Sequence, residues 1–440
     1  MCLELKYLRY KMDEDKQEIH IKQIESTKEE IEIADTYNIN GKLFTVTKLL
    51  NTNVVNPCIE VIKLPSTIKH IGQSAFDNAI NLKTIEVDSN NKNYSTKNGI
   101  LYNKKGNILI KCPQNYQAEK LKISKEVTTL KKEAFLETKN LKEVDLSNIK
   151  NLGDYCFESS EIKSVKLPDS LEKIPLRCFN KCRFLEKVNI PAKLIKIAGG
   201  AFNGCFKLKE YNADNIDMLG MNAFAYTGLK NVVISKNLKY LNNDTYKYLD
   251  IDNLLIPSNI EIIQDNAFSN SDIKNLYIGS GLETTTLWDL SRMFRLYYLD
   301  TMMINQTKDD LKEYNDIIRF CNDKNIKLIT AKTLNELEEN GFDYGQISQI
   351  IKGYESDLIL SDLSIDTPVP VMRNLINISK KDKITAMNMS IKLSSDISLE
   401  EKLDVYDKMN KLLNNDTLNI ESEVIRWKHR KKVMKLKLLM

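Results

Sequence analysis

The chain is poor in the residues that do chemistry. In 440 residues it holds three histidines, two tryptophans, 15 glycines and nine prolines. His20, His70 and His429 stand far apart with no partner motif. No G-x-S-x-G or H-E-x-x-H occurs, and Gly199, Gly200, Gly204, Gly279 and Gly281 fit neither a P-loop nor a dinucleotide fingerprint. No segment approaches the ~18 consecutive apolar residues of a membrane span. The first twenty residues alternate apolar and charged side chains without a continuous apolar core, so no signal peptide is expected. These absences argue against an enzyme, a resident cofactor or a metal. They point to a cytoplasmic location, with the cell surface by a non-classical route as the alternative. Eight cysteines are ordinary usage for an intracellular chain.

Charge of either sign is also nearly missing as a net quantity. Lys and Arg number 64 against 60 Asp and Glu, a net +4. Residues 421–440 alone carry seven basic residues and two glutamates, which is +5, so the other 420 residues sum to −1. This is a near-neutral body with a basic tail rather than a general nucleic-acid binder.

What the chain does have is a period. Phe135, Phe157, Phe179, Phe202, Phe224, Tyr246 and Phe268 are spaced 22, 22, 23, 22, 22 and 22 residues apart. Five positions before each aromatic stands Leu130, Leu152, Ile174, Ile197, Leu219, Leu241 or Ile263, and eight before it another aliphatic residue, Val127 to Ile260. Downstream comes an alternation such as Leu141, Val144, Leu146 or Ile162, Val165, Leu167, then proline at 168, 191 and 257. Period-two apolar residues stopped by proline read as one short strand per coil. A repeat of 20–30 residues carried by apolar positions is a solenoid, in which no coil buries its own interior.

Around each aromatic the sequence favours small residues. Ala75, Ala134, Cys156, Cys178, Ala201, Ala223, Thr245 and Ala267 precede it; Thr138, Ser160, Cys182, Cys205, Thr227 and Ser271 follow three positions on. Close packing between coils explains both columns, and it explains Cys178, Cys182 and Cys205 better than a metal site does. Between Phe76 and Phe135 about 37 extra residues are inserted. Their apolar runs 100–102 and 108–110, with Gly106 between, predict a hairpin.

The run L-P-x-x-I-x-x-I-x-x-x-A-F-x-x-x-x-x-L-K-x-I-x-V from Leu64 to Val87, and N-Y-S-x-x-x-G-x-L-Y from Asn93 to Tyr102, resemble the BspA-type leucine-rich repeat family. The resemblance covers about residues 1–300. It implies a curved β-rich solenoid, with 1–50 as an N-terminal β cap, 51–300 as the repeats and 88–122 as a hairpin insert. It also implies the binding or adhesion roles common in that family. Residues 301–440 read as a smaller α+β or helical segment. Its elements are a helix near 309–321, a strand at 326–330, capping boxes at Thr333/Glu336 and Ser398/Glu401, and a strand near 385–393.

The expected function is a non-enzymatic scaffold for a protein or glycan partner. On the predicted strands Val233, Leu255 and Tyr277 fall in one outward column, with Asn231, Asn253 and Asn275 beside it as a structural ladder. Another outward column is mostly lysine: Lys83, Lys142, Lys163, Lys209, Lys230 and Lys274. It reads first as a solvated face and alternatively as a surface for an acidic partner. The alternative function is association with an anionic surface, nucleic acid or membrane, through the tail residues Arg426, Lys428, Arg430, Lys431, Lys432, Lys435 and Lys437.

Overall fold

Seven aromatic side chains form one continuous stack. In a computed structural model, rings from Phe135 through Phe157, Phe179, Phe202, Phe224 and Tyr246 to Phe268 lie 4.8–5.6 Å apart, centroid to centroid, within 13° of parallel. All are fully buried. The structure describes residues 2–278 except 52–54, 212–214, 236, 258 and 265, together with 298–304, 314–323 and 326–330. Met1–Ile304 with Lys308–Leu328 form one compact unit. The second, 305–307 and 329–440, lies almost wholly outside the described residues. The capping boxes, the 385–393 strand and the basic tail fall there.

Most coils contribute two strands, one more than the periodicity predicts; among the described residues after Phe202, 203–211, the V-x-I strand is missing, and the V-x-I ladder is split there into two sheets. The expected V-x-I strand appears at Glu143–Asp145, Ser164–Lys166, Lys187–Val188, Asn231–Val233, Asp250–Ile256, Asp272–Ile278 and Tyr298–Ile304. It pairs in parallel and in register, Val144 with Val165 with Val188, and Val232 with Leu254 with Leu276 with Met302. A second, two-residue strand ends on the leucine five positions before the aromatic: Thr129–Leu130, Asn151–Leu152, Lys173–Ile174, Lys196–Ile197, Met218–Leu219, Tyr240–Leu241 and Ile262–Ile263. Two residues are too few to leave a period-two signature.

The backbone around each aromatic is left-handed at two places. Residues two before and two after it have positive φ in all seven coils: Glu133/Glu137, Tyr155/Ser159, Arg177/Lys181, Gly200/Gly204, Asn222/Tyr226, Asp244/Tyr248 and Asn266/Asn270. This geometry sends every second N–H across to the next coil. Glu133, Phe135 and Glu137 donate to the carbonyls of Asp154, Cys156 and Glu158, and Arg177, Phe179 and Lys181 to those of Gly199, Ala201 and Asn203. The intervening N–H groups, such as those of Ala134 and Leu136, close tight turns onto Lys131 and Glu133. A non-glycine residue in this region costs about 1–2 kcal/mol. The ladder and the ring stack offset that cost coil by coil.

The small column three after the aromatic also has a polar task. Thr138 and Thr227 donate their hydroxyls to the aromatic carbonyl of their own coil. Cys182, Cys205 and Ser271 donate to that of the coil before.

Before the repeats, Leu8–Asp13, Glu18–Ile24, Lys42–Leu49 and Thr36–Ile39 form a sheet. Its strand Lys42–Leu49 pairs in parallel with His70–Ile71, so this sheet opens the short-strand ladder. Asn40-Gly41 and Asn98-Gly99 supply the left-handed pairs that two-residue hairpins need. The insert is a meander: Tyr94–Lys97 pairs with Ile100–Asn103, which pairs with Ile108–Lys111. Gly106 turns its second hairpin with φ +72°. Ile108–Lys111 then joins Thr129–Leu130 in parallel, and the insert re-enters the solenoid as a coil. Lys111, almost fully buried, pairs with Asp77 at 3.2 Å and reaches the Glu133 carbonyl, capping the first coil of the ring stack. The expected helix and strand near the end are Tyr314–Asp323 and Lys327–Thr330.

Three outcomes test this construction. Phe179→Ala loses a ring with neighbours on both faces, and urea unfolding should show a loss of about 3–5 kcal/mol. The Tyr246 hydroxyl is buried with no hydrogen-bond partner among the described residues. Tyr246→Phe should therefore raise stability by about 1 kcal/mol in the same assay. The Glu18 carboxylate accepts hydrogen bonds from Lys69 and Thr47 at 2.9 Å, with His20 at 3.4 Å. The Lys69 bond above all holds its pKa down to about 2 against an ordinary value of 4.5. Its contribution is complete above pH 4.5 and disappears as pH falls through about 2. An acid titration of unfolding should be flatter in that window for Glu18→Gln than for the unchanged protein.

Candidate functional site

In-register stacking turns any outward position of the repeat into a column on the surface. On the V-x-I strands, Asn231, Asn253 and Asn275 are register partners, and their side-chain amides bond along the column at 2.9 and 3.0 Å. They form a structural ladder, as expected. Val233, Leu255 and Tyr277 are register partners in the same strands, continued by Met303. The side chains of those four lie outside the ones described.

The lysine column is largely neutralised in place. Lys83 pairs with Glu60 and Lys142 with Glu161, both at 2.6 Å. Lys230 pairs with Asp250, and Lys274 with Asp252. Each of these pairs joins adjacent coils. Exposed ion pairs of this kind contribute little stability, about 0–1 kcal/mol each. They do remove the excess positive charge that an acidic partner would seek. Lys163 and Lys209 are exposed and have no ion-pair partner among the described residues.

Cys156, Cys178, Cys182 and Cys205 are fully buried and unpaired. Burial pushes their thiols up, that of Cys182 to about 12, so they stay protonated, and those of Cys182 and Cys205 act as small donors. Among the described residues no three of His, Cys, Asp and Glu gather as a metal ligand set. His70 points outward, and His20 belongs to the Glu18 cluster. His429 and the tail residues from Arg426 to Lys437 lie outside the described residues.

The outward residue of the two-residue strands makes a further column. In coil order it reads Thr129, Asn151, Lys173, Lys196, Met218, Tyr240, Ile262. The side chains of Met218, Tyr240 and Ile262 are 48%, 49% and 51% exposed. Ile195 and Met221 beside them are exposed as well. Lys173 and Lys196 have no ion pair among the described residues. The signal was available in the sequence, as the position just before the leucine that precedes each aromatic by five. Two residues gave no reason to suspect a strand there. A further exposed pair, Tyr226 and Tyr248, stacks at 4.6 Å on the left-handed positions after the aromatics.

Six copies of a pattern described as the BspA type leucine rich repeat region match residues 55–105, 106–227 and 217–348. No curated protein matches the chain. Solved structures that resemble it are bacterial. One is a leucine-rich repeat protein from Bacteroides ovatus, 16% identical, covering 75% of this chain and 79% of its own, with a TM-score of 0.39. Another is a leucine rich cell surface protein from Faecalibacterium prausnitzii, 16% identical, covering 70% and 96%, with a TM-score of 0.36. A third is the pneumococcal vaccine antigen PcpA, 14% identical, covering 76% and 99%, with a TM-score of 0.34.

The contrast between the two lysine columns is open to a direct check. Under limiting acetylation, Lys173 and Lys196 should label faster than Lys83 and Lys142, whose amines are held by carboxylates. Peptide mass spectrometry over a time course reads the order.

Proposed function

Since the chain belongs to the BspA-type leucine-rich repeat family, we propose that it is a non-enzymatic scaffold that binds a protein partner through outward columns of its solenoid. The observation that carries this reading is the strict register of the V-x-I strands. It puts Val233, Leu255 and Tyr277 in register on successive strands of a five-stranded sheet, a column of large apolar residues. A run of large apolar residues held at one register position of successive strands supports a contact surface. Lys209, Lys230 and Lys274 stand beside it. Lys230 and Lys274 are already paired with aspartates, so Lys209 is the cation of the three that is left to meet a carboxylate. The chemistry of the described residues supports binding over catalysis: the thiols inside the repeats are buried, and the histidine–carboxylate contact of His20 with Glu18 belongs to a packed cluster that braces the first coil. No helix among the described residues is long and apolar enough to cross a membrane.

Photocrosslinking in extracts of the source organism tests the reading. The full chain carries benzoyl-phenylalanine at Leu255 in one preparation and at Asp13, in the N-terminal sheet, in another. A single protein crosslinked from position 255 and absent from position 13 is the expected result. Labelling that is equal from both positions, or survives at position 255 only while residues 421–440 are present, contradicts it.

A further inference from the structure

We propose that the outward column of the two-residue strands docks an amphipathic α-helix of a partner protein, with carboxylates on two successive turns over Lys173 and Lys196 and apolar side chains on the next three over Met218, Tyr240 and Ile262. The proposal rests on the reading of the chain as a binding scaffold, but it concerns a different face and different residues.

Three observations carry it. The first is the order of the column. Lys173 is the register partner of Lys196 and Lys196 of Met218 in one ladder, and Tyr240 is that of Ile262 in the next; the coils of Met218 and Tyr240 are stacked through Phe224 and Tyr246, so in coil order two cations are followed by three apolar side chains. The second is exposure without satisfaction. The three apolar residues are about half exposed in consecutive coils, and neither lysine has an ion pair among the described residues. Lysines on the opposite strands mostly do have one. A ligand with carboxylates at one end and apolar groups at the other complements both halves.

The third observation is pitch, and it selects the conformation of the ligand. Neighbouring strands lie about 4.8 Å apart. A helix whose contact seam repeats every 3.5 residues advances about 5.3 Å per contact. Over the four steps from Lys173 to Ile262 the two rulers drift apart by only about 2 Å, within reach of side-chain rotamers. An extended peptide places same-face residues about 6.7 Å apart and drifts by about 8 Å, more than a whole coil. A helix therefore stays in step with the column, and a strand does not. Glu172 and Asp217, exposed one position before Lys173 and Met218, keep the carboxylate face of the ligand off that margin. Glu261 is engaged by Lys239 at 2.7 Å and by the Tyr240 hydroxyl at 3.3 Å, so it adds no free charge under the apolar half.

The probes are two synthetic, fluorescein-labelled helices of about 21 residues. One carries two glutamates and then three leucines at the seam spacing; the other is identical except that lysines replace the two glutamates. Fluorescence anisotropy with the full chain should show the glutamate helix binding about tenfold more tightly than the lysine helix. In the double variant K173E/K196E the preference should reverse. Tyr240→Ser should weaken both helices. These are surface positions, and urea midpoints close to that of the unchanged protein confirm that the variants fold. Equal binding of the two helices, a preference unaltered by the double variant, or no saturable binding of either overturns the proposal. Crosslinking from position 255 is independent of these peptides, so failure on one face is told apart from failure on the other.

Discussion

Each aromatic ring between the two ends of the stack has a ring above it and a ring below it, and no coil possesses a core without them. That mutual dependence governs everything else in the repeats. A coil of 22 residues contributes one aromatic ring, a few aliphatic side chains and up to two strands, none of which is shielded from water on its own. Stacking at 4.8–5.6 Å closes the interior and brings the backbone of one coil within hydrogen-bonding reach of the next. The paired left-handed residues then aim alternate N–H groups across the gap. The thiols and hydroxyls three positions on supply a further donor to the aromatic carbonyls. Dispersion, the inter-coil backbone hydrogen bonds and the bonds of Cys182, Cys205 and Ser271 act along the same axis, which keeps the register from slipping.

Register also shapes the surface. A surface position repeated without slippage becomes a column, and the composition of the column becomes a property of the molecule. Two columns built by the same rule have different fates. Four of the six lysines near the V-x-I strands, Lys83, Lys142, Lys230 and Lys274, are tied to acids on adjacent coils. Lys173 and Lys196 on the two-residue strands have no ion-pair partner among the described residues and precede exposed Met218, Tyr240 and Ile262. Little in the described residues suggests chemistry on substrates; much suggests a ruler against which another protein can be laid.

The period, the parallel V-x-I strands, the hairpin at Gly106 and the asparagine ladder were all legible in the sequence, because each depends on residue type at fixed spacing. The left-handed pairs were not. Their occupants run from Glu133 through Tyr155 and Arg177 to Gly200 and Asn222, and a conformation set by inter-coil hydrogen bonds leaves only a weak trace in residue choice. The glycines flanking Phe202 and the asparagines and aspartate flanking the later aromatics were the available hint. The second strand escaped notice because a pair such as Lys196–Ile197 is too short to alternate. The small column was assigned to close packing, and its donor role required knowing that a buried carbonyl lay opposite. On the surface, the register of Val233, Leu255 and Tyr277 follows from the repeat itself. The Lys173-to-Ile262 column had to wait for the strand that displays it.

Native-state hydrogen exchange on Phe202→Ala tests the coupling between coils most directly. The account predicts that the amides of Arg177, Phe179 and Lys181 on one side, and of Asn222 and Phe224 on the other, lose protection first. Those of the sheet Glu18–Ile24 and Lys42–Leu49 should keep theirs. Uniform loss across residues 8–278, or unchanged protection in the coils that flank position 202, would contradict a structure held together by its nearest neighbours.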